Sequence, residues 1–220
     1  DYTGASEIGS LFLRASYRRD GIGKFLSRCR YLLLAEFPEL FSDTVISEIR
    51  GVQDENGDSP FYRNLAEHFF KMEFKKADFI TATLGGQFIS DLMPRYPIYV
   101  NLLDIKAQQA IGVPLEASKA ALKLLEAEGF RYQGYIDVFD AGPTMQAECA
   151  QIRTVRKSKR AEITEIKPLA DSTQFMIATT QLADFRIGLA GLEENKKGLA
   201  IDQDTADSMG LKVGDMVRYI

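Results

Sequence analysis

The sequence predicts an α+β (α/β) fold, in which a mixed sheet with flanking helices precedes a small β-barrel-like appendage. Residues 7–36 carry a strand pattern, a glycine-bearing loop and then an amphipathic helix pattern. Residues 116–128 form the strongest helical pattern, and short β-patterned runs separated by turn residues follow residue 162. We therefore predict two domains, over residues 1–150 and 151–220.

The elements of the first part follow from local signals. Alternating apolar residues predict a strand over Ile8–Leu13, and a helix follows that ends near Phe37–Pro38, where proline stops it. The β-branched run Thr44–Arg50 predicts the next strand. Ser59 is a helix N-cap, and we predict one helix over Pro60–Met72 with Phe61, Leu65, Phe69 and Met72 as its buried stripe.

The middle of the chain has weaker signals. The segment Lys75–Ile89, which contains Gly85-Gly86, is interpreted as a connection. Leu92–Tyr99 is interrupted by proline and cannot be a central strand. A short helix is predicted over Leu102–Gly112, and Gly129 is expected at an αL cap. Phe130–Asp140 predicts a strand pair or a strand with a bulge at Gly134.

Composition argues against several classes of protein. The 220 residues are 45% hydrophobic and 26% charged, with a formal net charge of −4, as in an ordinary globular protein. This balance argues against nucleic acid as the main partner, so the basic run 151–160 is interpreted as a charged strand and linker. No apolar run suits a membrane span and no signal peptide is visible. Cys29 and Cys149 are interpreted as buried free thiols, which predicts the cytoplasm, and we predict no metal.

The loop Arg18–Lys24 has the features of an anion site. A helix start presents free N–H groups and roughly half a positive charge, and two glycines allow backbone to approach a phosphate. The spacing matches neither a P-loop nor the dinucleotide fingerprint. The pattern Arg-x-x-Gly-x-Gly resembles the pyrophosphate loop of the GNAT acyltransferases. This resemblance implies an acyl-CoA bound by Arg18, Arg19, Gly21, Ile22, Gly23 and Lys24.

The same resemblance has implications for the start of the chain. In GNAT enzymes the strand before the loop pairs with the pantetheine arm, which would involve Leu11, Phe12 and Leu13. GNAT domains place further strands and helices ahead of that strand, so we expect the chain to be the C-terminal half of a GNAT-like mixed sheet. Its own N-terminal half, or a partner subunit, is then expected to cover an exposed sheet edge, and we expect an oligomer.

Eight strings in order, between about Thr3 and Ser158, resemble the arginine N-succinyltransferase family. They are SLFL, the loop Arg18–Gly23, EIRGVQDENGDSPFY, HFFKMEF, LMPRYPIY, LLEAEGF, YIDVFDAGPT and IRTVRKS. The resemblance implies transfer of a succinyl group from succinyl-CoA to the α-amine of arginine, in arginine catabolism. Ornithine or another amine remains open as the acceptor, since some relatives use ornithine and some have two non-identical subunits.

This chemistry sets requirements for side chains. An arginine substrate requires carboxylates at its guanidinium, and a succinyl carboxylate requires Arg or Lys. The candidate carboxylates are Glu48, Asp54, Glu55, Asp137 and Asp140. The candidates for the succinyl end are Arg50 and Arg95. Each also has an ordinary interpretation as a solvated or capping charge.

The acid/base group is where the chain departs from the family. The family carries a proposed catalytic histidine in a Gly-x-x-His-Pro string, and Leu115 occupies that column here. The remaining candidates are Tyr62 as general acid toward the thiolate, Glu116 through water, and His68, the sole histidine. Three possibilities stay open: the histidine is dispensable, a partner supplies it, or the chain is a non-catalytic paralogue or subunit.

Overall fold

The computed structural model describes residues 2–19, 21–84, 87–169 and 172–220, so Gly85-Gly86 lies outside the described part. The helices are α1 (Ile22–Glu36), α2 (Pro60–Asn64), α3 (Ala66–Phe70), α4 (Phe74–Leu84), α5 (Gln87–Leu92), α6 (Ile105–Ala110), α7 (Lys119–Glu128), α8 (Arg153–Lys157) and α9 (Gln203–Met209). The strands are β1 (Ser6–Glu7), β2 (Thr44–Glu48), β3 (Arg131–Ile136), β4 (Pro143–Glu148), β5 (Lys159–Ile166), β6 (Gln174–Thr179), β7 (Ile187–Gly191), β8 (Glu193–Glu194), β9 (Leu199–Ile201) and β10 (Met216–Tyr219). The α+β prediction is confirmed.

Two compact units make up the chain. Asp1–Val45 with Ala147–Ile220 form the first unit, and Ile46–Gln146 form the second. One sheet has the strand order β1-β2-β4-β3, and the other has the order β7-β6-β10-β5-β9-β8. Among the described residues, none of the helices is both long and apolar enough to cross a membrane.

The C-terminal sheet carries the core of the first unit. Its strands pair antiparallel, except that β5 and β9 run parallel. Fully buried Ile163, Ile177, Leu199, Ile201 and Val217 pack there with Ala206 and Met209 of α9. The prediction of a β-rich C-terminal segment is confirmed.

Helix α1 lies on this sheet. Leu32 is fully buried, and with Phe25 and Cys29 it packs against Met176 and Ala178 of β6. These helix residues recur at three- and four-residue spacing, which places them on one face. The predicted helix is therefore confirmed. Burial raises the pKa of Cys29 to about 11, so this free thiol stays protonated at neutral pH.

Two predictions for the first unit are wrong. Ile8–Leu13 is not a strand, because β1 ends at Glu7 and a 3₁₀ turn follows only at Ala15–Tyr17. Ile8 is buried but Leu11 is 37% exposed, so the alternating apolar residues do not share one buried face. The basic run is predicted to be a charged strand and linker; β5 does begin at Lys159, but residues 153–157 form helix α8 rather than a linker.

An aromatic cluster holds the second unit together. Tyr62, Ala66, Phe70, Phe74, Ala77 and Phe139 are buried in it. Ser59 accepts a hydrogen bond from the Tyr62 N–H at 3.2 Å, which confirms the predicted N-cap. The single helix predicted over Pro60–Met72 is wrong, because the backbone leaves helical geometry at Leu65 and buries a different stripe. The predicted connection is mostly α4 and α5, whose apolar residues pack on the cluster.

The remaining local predictions are confirmed, with shorter bounds. Leu92–Tyr99 contains no strand, and helix α6 lies within the predicted range. Helix α7 ends at Gly129, whose φ of 107° is left-handed. Strand β3 has a register irregularity between Tyr132 and Ile136, around Gly134. The strand predicted from Thr44 is β2.

Candidate functional site

The start of α1 keeps its backbone N–H groups available. Gly21 is the N-cap with a φ of 77°, and no side chain among the described residues caps the first turn. The Ile22 N–H donates to the Arg19 carbonyl at 3.0 Å, and the first helical bond runs from Phe25 N–H to Gly21 O. The N–H groups of Gly23 and Lys24 precede that bond and point out of the helix start. The turn can therefore accept an anion.

Cationic side chains surround this turn. Arg18, Arg19 and Lys24 are exposed, and Arg18 Nε also donates to the Leu13 carbonyl at 3.0 Å. An added Cβ at Gly23 would lie 3.8 Å from Leu13 Cδ2, so Leu13 borders the loop. Leu11 and Phe12 are exposed, 37% and 72%. The structure thus brings Leu13, Arg18 and Gly21–Lys24 together.

In the second unit, Arg50 meets a buried carboxylate. Arg50 Nη1 lies 3.7 Å from Asp140 Oδ2, and their side chains are 52% and 1% exposed. Asp140 Oδ1 accepts the Gly142 N–H at 2.9 Å. Asp140 therefore pairs with Arg50 from the buried side, while about half of the Arg50 side chain stays exposed.

Asp137 lies in the same turn. Its Oδ1 accepts the N–H groups of Phe139 at 2.8 Å and Asp140 at 3.0 Å. Burial raises the pKa of the Asp137 carboxyl, and the nearby Asp140 carboxylate adds to the rise. The two N–H donors and Arg50 act in the opposite direction but do not cancel it. A carboxyl whose pKa is raised by burial is a candidate for proton exchange.

Close backbone contacts build this cluster. A Cβ at Gly142 would lie 1.9 Å from the Ile49 carbonyl oxygen, so only glycine fits. The Leu115 N–H donates to the Arg50 carbonyl at 2.7 Å, and the Gly112 N–H donates to the Ala141 carbonyl at 2.8 Å. Leu115 therefore lies beside Arg50. The sequence indicates that Gly142-Pro143 closes the preceding strand, but it does not predict this close contact with Ile49.

Tyr62 is largely enclosed. Its side chain is 2% exposed, and its hydroxyl donates to the Met72 carbonyl at 2.9 Å. Burial raises its pKa to about 12, and Glu67 adds to the rise. A cleft of about 320 Å³ lies beside it, lined by Asn56, Asp58, Ser59, Tyr62, Arg63, Glu67, Glu73, Phe74 and Lys75. Because the Tyr62 hydroxyl donates its proton to the Met72 carbonyl, this hydrogen bond would have to break before Tyr62 could protonate a thiolate.

The other candidates lie on the surface of the second unit. Asp54 binds Arg63 at 2.8 Å; a backbone N–H bond from Asp58 and the Arg63 bond lower its pKa. Glu116 is 84% exposed and pairs with Lys119. The remaining exposed candidates are Glu48, Glu55, His68 and Arg95. For Glu55, His68 and Arg95, no hydrogen bond or ion pair to Arg50 or Asp140 occurs within the described ranges.

Comparison with known proteins decides the family. The family described as "Arginine N-succinyltransferase beta subunit" matches residues 1–154, and its C-terminal domain matches residues 159–220. The chain belongs to the arginine N-succinyltransferase family. The arginine N-succinyltransferase subunit beta of Pseudomonas aeruginosa is 42% identical over 220 residues, which is 100% of this chain and 65% of the relative. Arginine N-succinyltransferase of Escherichia coli is 39% identical over 221 residues, covering 100% and 64%.

A solved structure agrees with this assignment. The arginine/ornithine succinyltransferase subunit AI from Pseudomonas aeruginosa superposes with a TM-score of 0.80 at 30% identity, covering 97% of this chain and 62% of that one. The predicted membership of the arginine N-succinyltransferase family is thereby confirmed. The chain spans less than two thirds of the length of each of these relatives.

Proposed function

We propose that this chain is part of a cytoplasmic acyltransferase that moves a succinyl group from succinyl-CoA to the α-amine of arginine. The observation that carries the proposal is the start of α1, where Gly21 opens a turn with no side-chain cap among the described residues and three cations beside it. Family membership over residues 1–154 supports the same reaction. Residues 1–150 would carry the chemistry, and residues 151–220 would form a β-rich appendage.

The first unit would bind the cofactor end of the thioester. The N–H groups of Gly23 and Lys24 would bind the diphosphate of succinyl-CoA, with the helix dipole and the side chains of Arg18, Arg19 and Lys24 adding attraction. Leu11 and Phe12, which are exposed, and Leu13, which borders the turn, would meet the pantetheine arm. Such binding orients the thioester, and orientation supplies much of the rate enhancement of a two-substrate reaction.

The second unit would bind the reacting groups. Arg50, held from behind by Asp140, would pair with the succinyl carboxylate, and Asp137 would face the cationic acceptor. The amine nitrogen attacks the thioester carbonyl, the carbon–sulfur bond breaks, the amine loses a proton and the thiolate gains one. Tyr62 remains the candidate acid, and Glu116 or His68 the candidate base. Glu48, Asp54, Glu55 and Arg95 remain weaker candidates for substrate contacts.

Two alternatives rest on specific observations. The structural relative is named an arginine/ornithine succinyltransferase subunit, so ornithine is a second candidate acceptor. Leu115 cannot transfer a proton, which favours a non-catalytic subunit, or a partner that supplies the missing group. Because a relative is named a subunit, we also propose that the chain works in an oligomer, completed by its own N-terminal half or a partner subunit.

The test is acyl transfer followed by mass spectrometry. Purified protein with succinyl-CoA is given arginine or ornithine, and we expect succinylarginine as the main product. Replacing Arg19 and Lys24 with glutamine should raise the KM for succinyl-CoA roughly tenfold. The matched control replaces Lys196 and Lys197, exposed cations on the loop between β8 and β9, and should leave this KM unchanged.

Two outcomes would contradict the proposal. If succinyl-CoA is neither bound nor consumed even when the N-terminal half or partner subunit is present, the transferase assignment is excluded. Binding without turnover, not restored by Leu115→His, assigns the chain to the non-catalytic class.

A further inference from the structure

The basic run 151–160 contains five cationic residues and no acidic one, and the proposed reaction does not use it. Two of its cations are paired within the fold. Lys159 lies 3.2 Å from Glu194, and Arg160 lies 3.3 Å from Glu36. The other three are Arg153, Arg156 and Lys157, all exposed on α8. Within the described part of the chain, none of the three forms an ion pair with a carboxylate.

These three side chains share one face of α8. Their spacing of three and four residues puts them side by side on a helix. Ile152 and Thr154, which border them in sequence, are fully buried. The outward face of α8 is therefore a concentrated positive surface, which we call the α8 basic face.

Helix α1 links the α8 basic face to the phosphate-binding turn. Arg28 Nε donates to Thr154 Oγ1 at 3.0 Å, which joins the two helices side by side. Arg28 follows Lys24 by one helical turn and lies about 9 Å along the axis from Ile22. Residues 14–30 contain six cationic residues and one acidic one, although the whole chain carries a net charge of −4. Cations of one sign repel each other, so this concentration indicates an anionic ligand.

We propose that the α8 basic face binds the ribose phosphate of the coenzyme A nucleotide. The inference rests on the proposed function, which puts the diphosphate of the same molecule at the start of α1. Coenzyme A carries a phosphate monoester one ribose away from its diphosphate. The α8 basic face adjoins α1 at Arg28, one to two helical turns from the start of α1, so a second cation cluster there matches the chemistry of coenzyme A. Arginine is suited to this group because its guanidinium binds phosphate oxygens in pairs.

The test compares coenzyme A with dephospho-coenzyme A, which lacks only that ribose phosphate. Calorimetric titration of the purified protein should give roughly tenfold tighter binding of coenzyme A, since three exposed charge pairs each contribute a few-fold. In the variant R153Q/R156Q/K157Q, the ratio of the two dissociation constants should fall to about one, while the dissociation constant of dephospho-coenzyme A stays unchanged. The single variant R156Q should lose part of the preference and guards against misfolding of the triple variant.

A matched variant controls for general electrostatics. K196Q/K197Q/K212Q removes the same charge from exposed lysines elsewhere in the first unit and should keep the preference. The inference is overturned if the wild type shows no preference, if the α8 variant keeps it, or if that variant weakens both ligands equally. Loss of RNA binding in the α8 variant, with an unchanged coenzyme A preference, would overturn it in favour of nucleic acid. Binding of neither ligand by the wild type would instead refute the proposed function.

Discussion

Replacement of Glu36 by glutamine tests how α1 is fixed to the C-terminal sheet. Glu36 ends α1, and its side chain is 3% exposed. It accepts from Arg218 Nε at 2.8 Å and lies 3.3 Å from Arg160 Nη2. Arg160 and Arg218 face each other in register on β5 and β10, so without Glu36 they would repel.

The expected loss follows from the exposure of each partner. Arg218 is only 14% exposed, so removing the negative charge of its partner costs about 3 kcal/mol of unfolding free energy. This is the low end of the range for breaking a buried ion pair. Arg160 is 51% exposed, and its pair adds at most about 0.5 kcal/mol. Glutamine retains one hydrogen bond, worth about 1 kcal/mol, and removes a negative charge from a helix C-terminus, worth about 0.5 kcal/mol. We expect the free energy of unfolding to fall by about 2 kcal/mol.

Urea unfolding followed by circular dichroism measures this loss. Glu39→Gln is the matched control, because Glu39 is exposed three residues further on, and its effect should stay within about 0.5 kcal/mol. A double-mutant cycle with Arg218→Gln should give a coupling energy of about 1 to 2 kcal/mol. If Glu36→Gln lowers the free energy of unfolding no more than Glu39→Gln does, apolar packing alone fixes α1 to the sheet. That result would refute the reasoning.

Two further predictions concern the candidate site. Gly21→Ala should cost about 1 kcal/mol in thermal unfolding because φ is left-handed, although no atom lies within 4 Å of the added Cβ. Gly21→Asn, which tolerates this conformation, and Gly23→Ala should cost less, and equal losses for Ala and Asn at residue 21 would contradict the reasoning. Asp137 has a raised pKa in the folded state, so its contribution to stability is full below its unfolded pKa and is lost as the pH rises through the folded value. Asp137→Asn, which keeps an oxygen for the Phe139 and Asp140 N–H groups, should therefore raise the unfolding midpoint at neutral pH but not in acid, and an unchanged neutral midpoint would count against it.

Local signals in the sequence were sufficient for several elements. The helix that follows Gly21, the Ser59 cap and the left-handed Gly129 were all predictable, because capping and periodicity act within one or two turns. The glycine-bearing start of α1 without a side-chain cap, on which the proposed anion site rests, followed for the same reason. The family resemblance added the expected chemistry, since its strings recur in order along the chain.

Contacts between distant residues needed the tertiary structure. The apolar alternation at Ile8–Leu13 predicts a strand, yet a strand exists only where a neighbour pairs with it. Arg50 and Asp140 are 90 residues apart, and no local pattern indicates that one would hold the other.

The sequence alone therefore determined the helix ends that have clear capping signals, at Gly21, Ser59 and Gly129, as well as which charges are present and to which family the chain belongs. Only the tertiary structure decided which charges meet: Glu36 with Arg160 and Arg218, and Arg28 with Thr154 beside the α8 basic face. The physical reason is that burial and pairing depend on what the rest of the fold brings close, whereas capping and periodicity depend on neighbours in the chain.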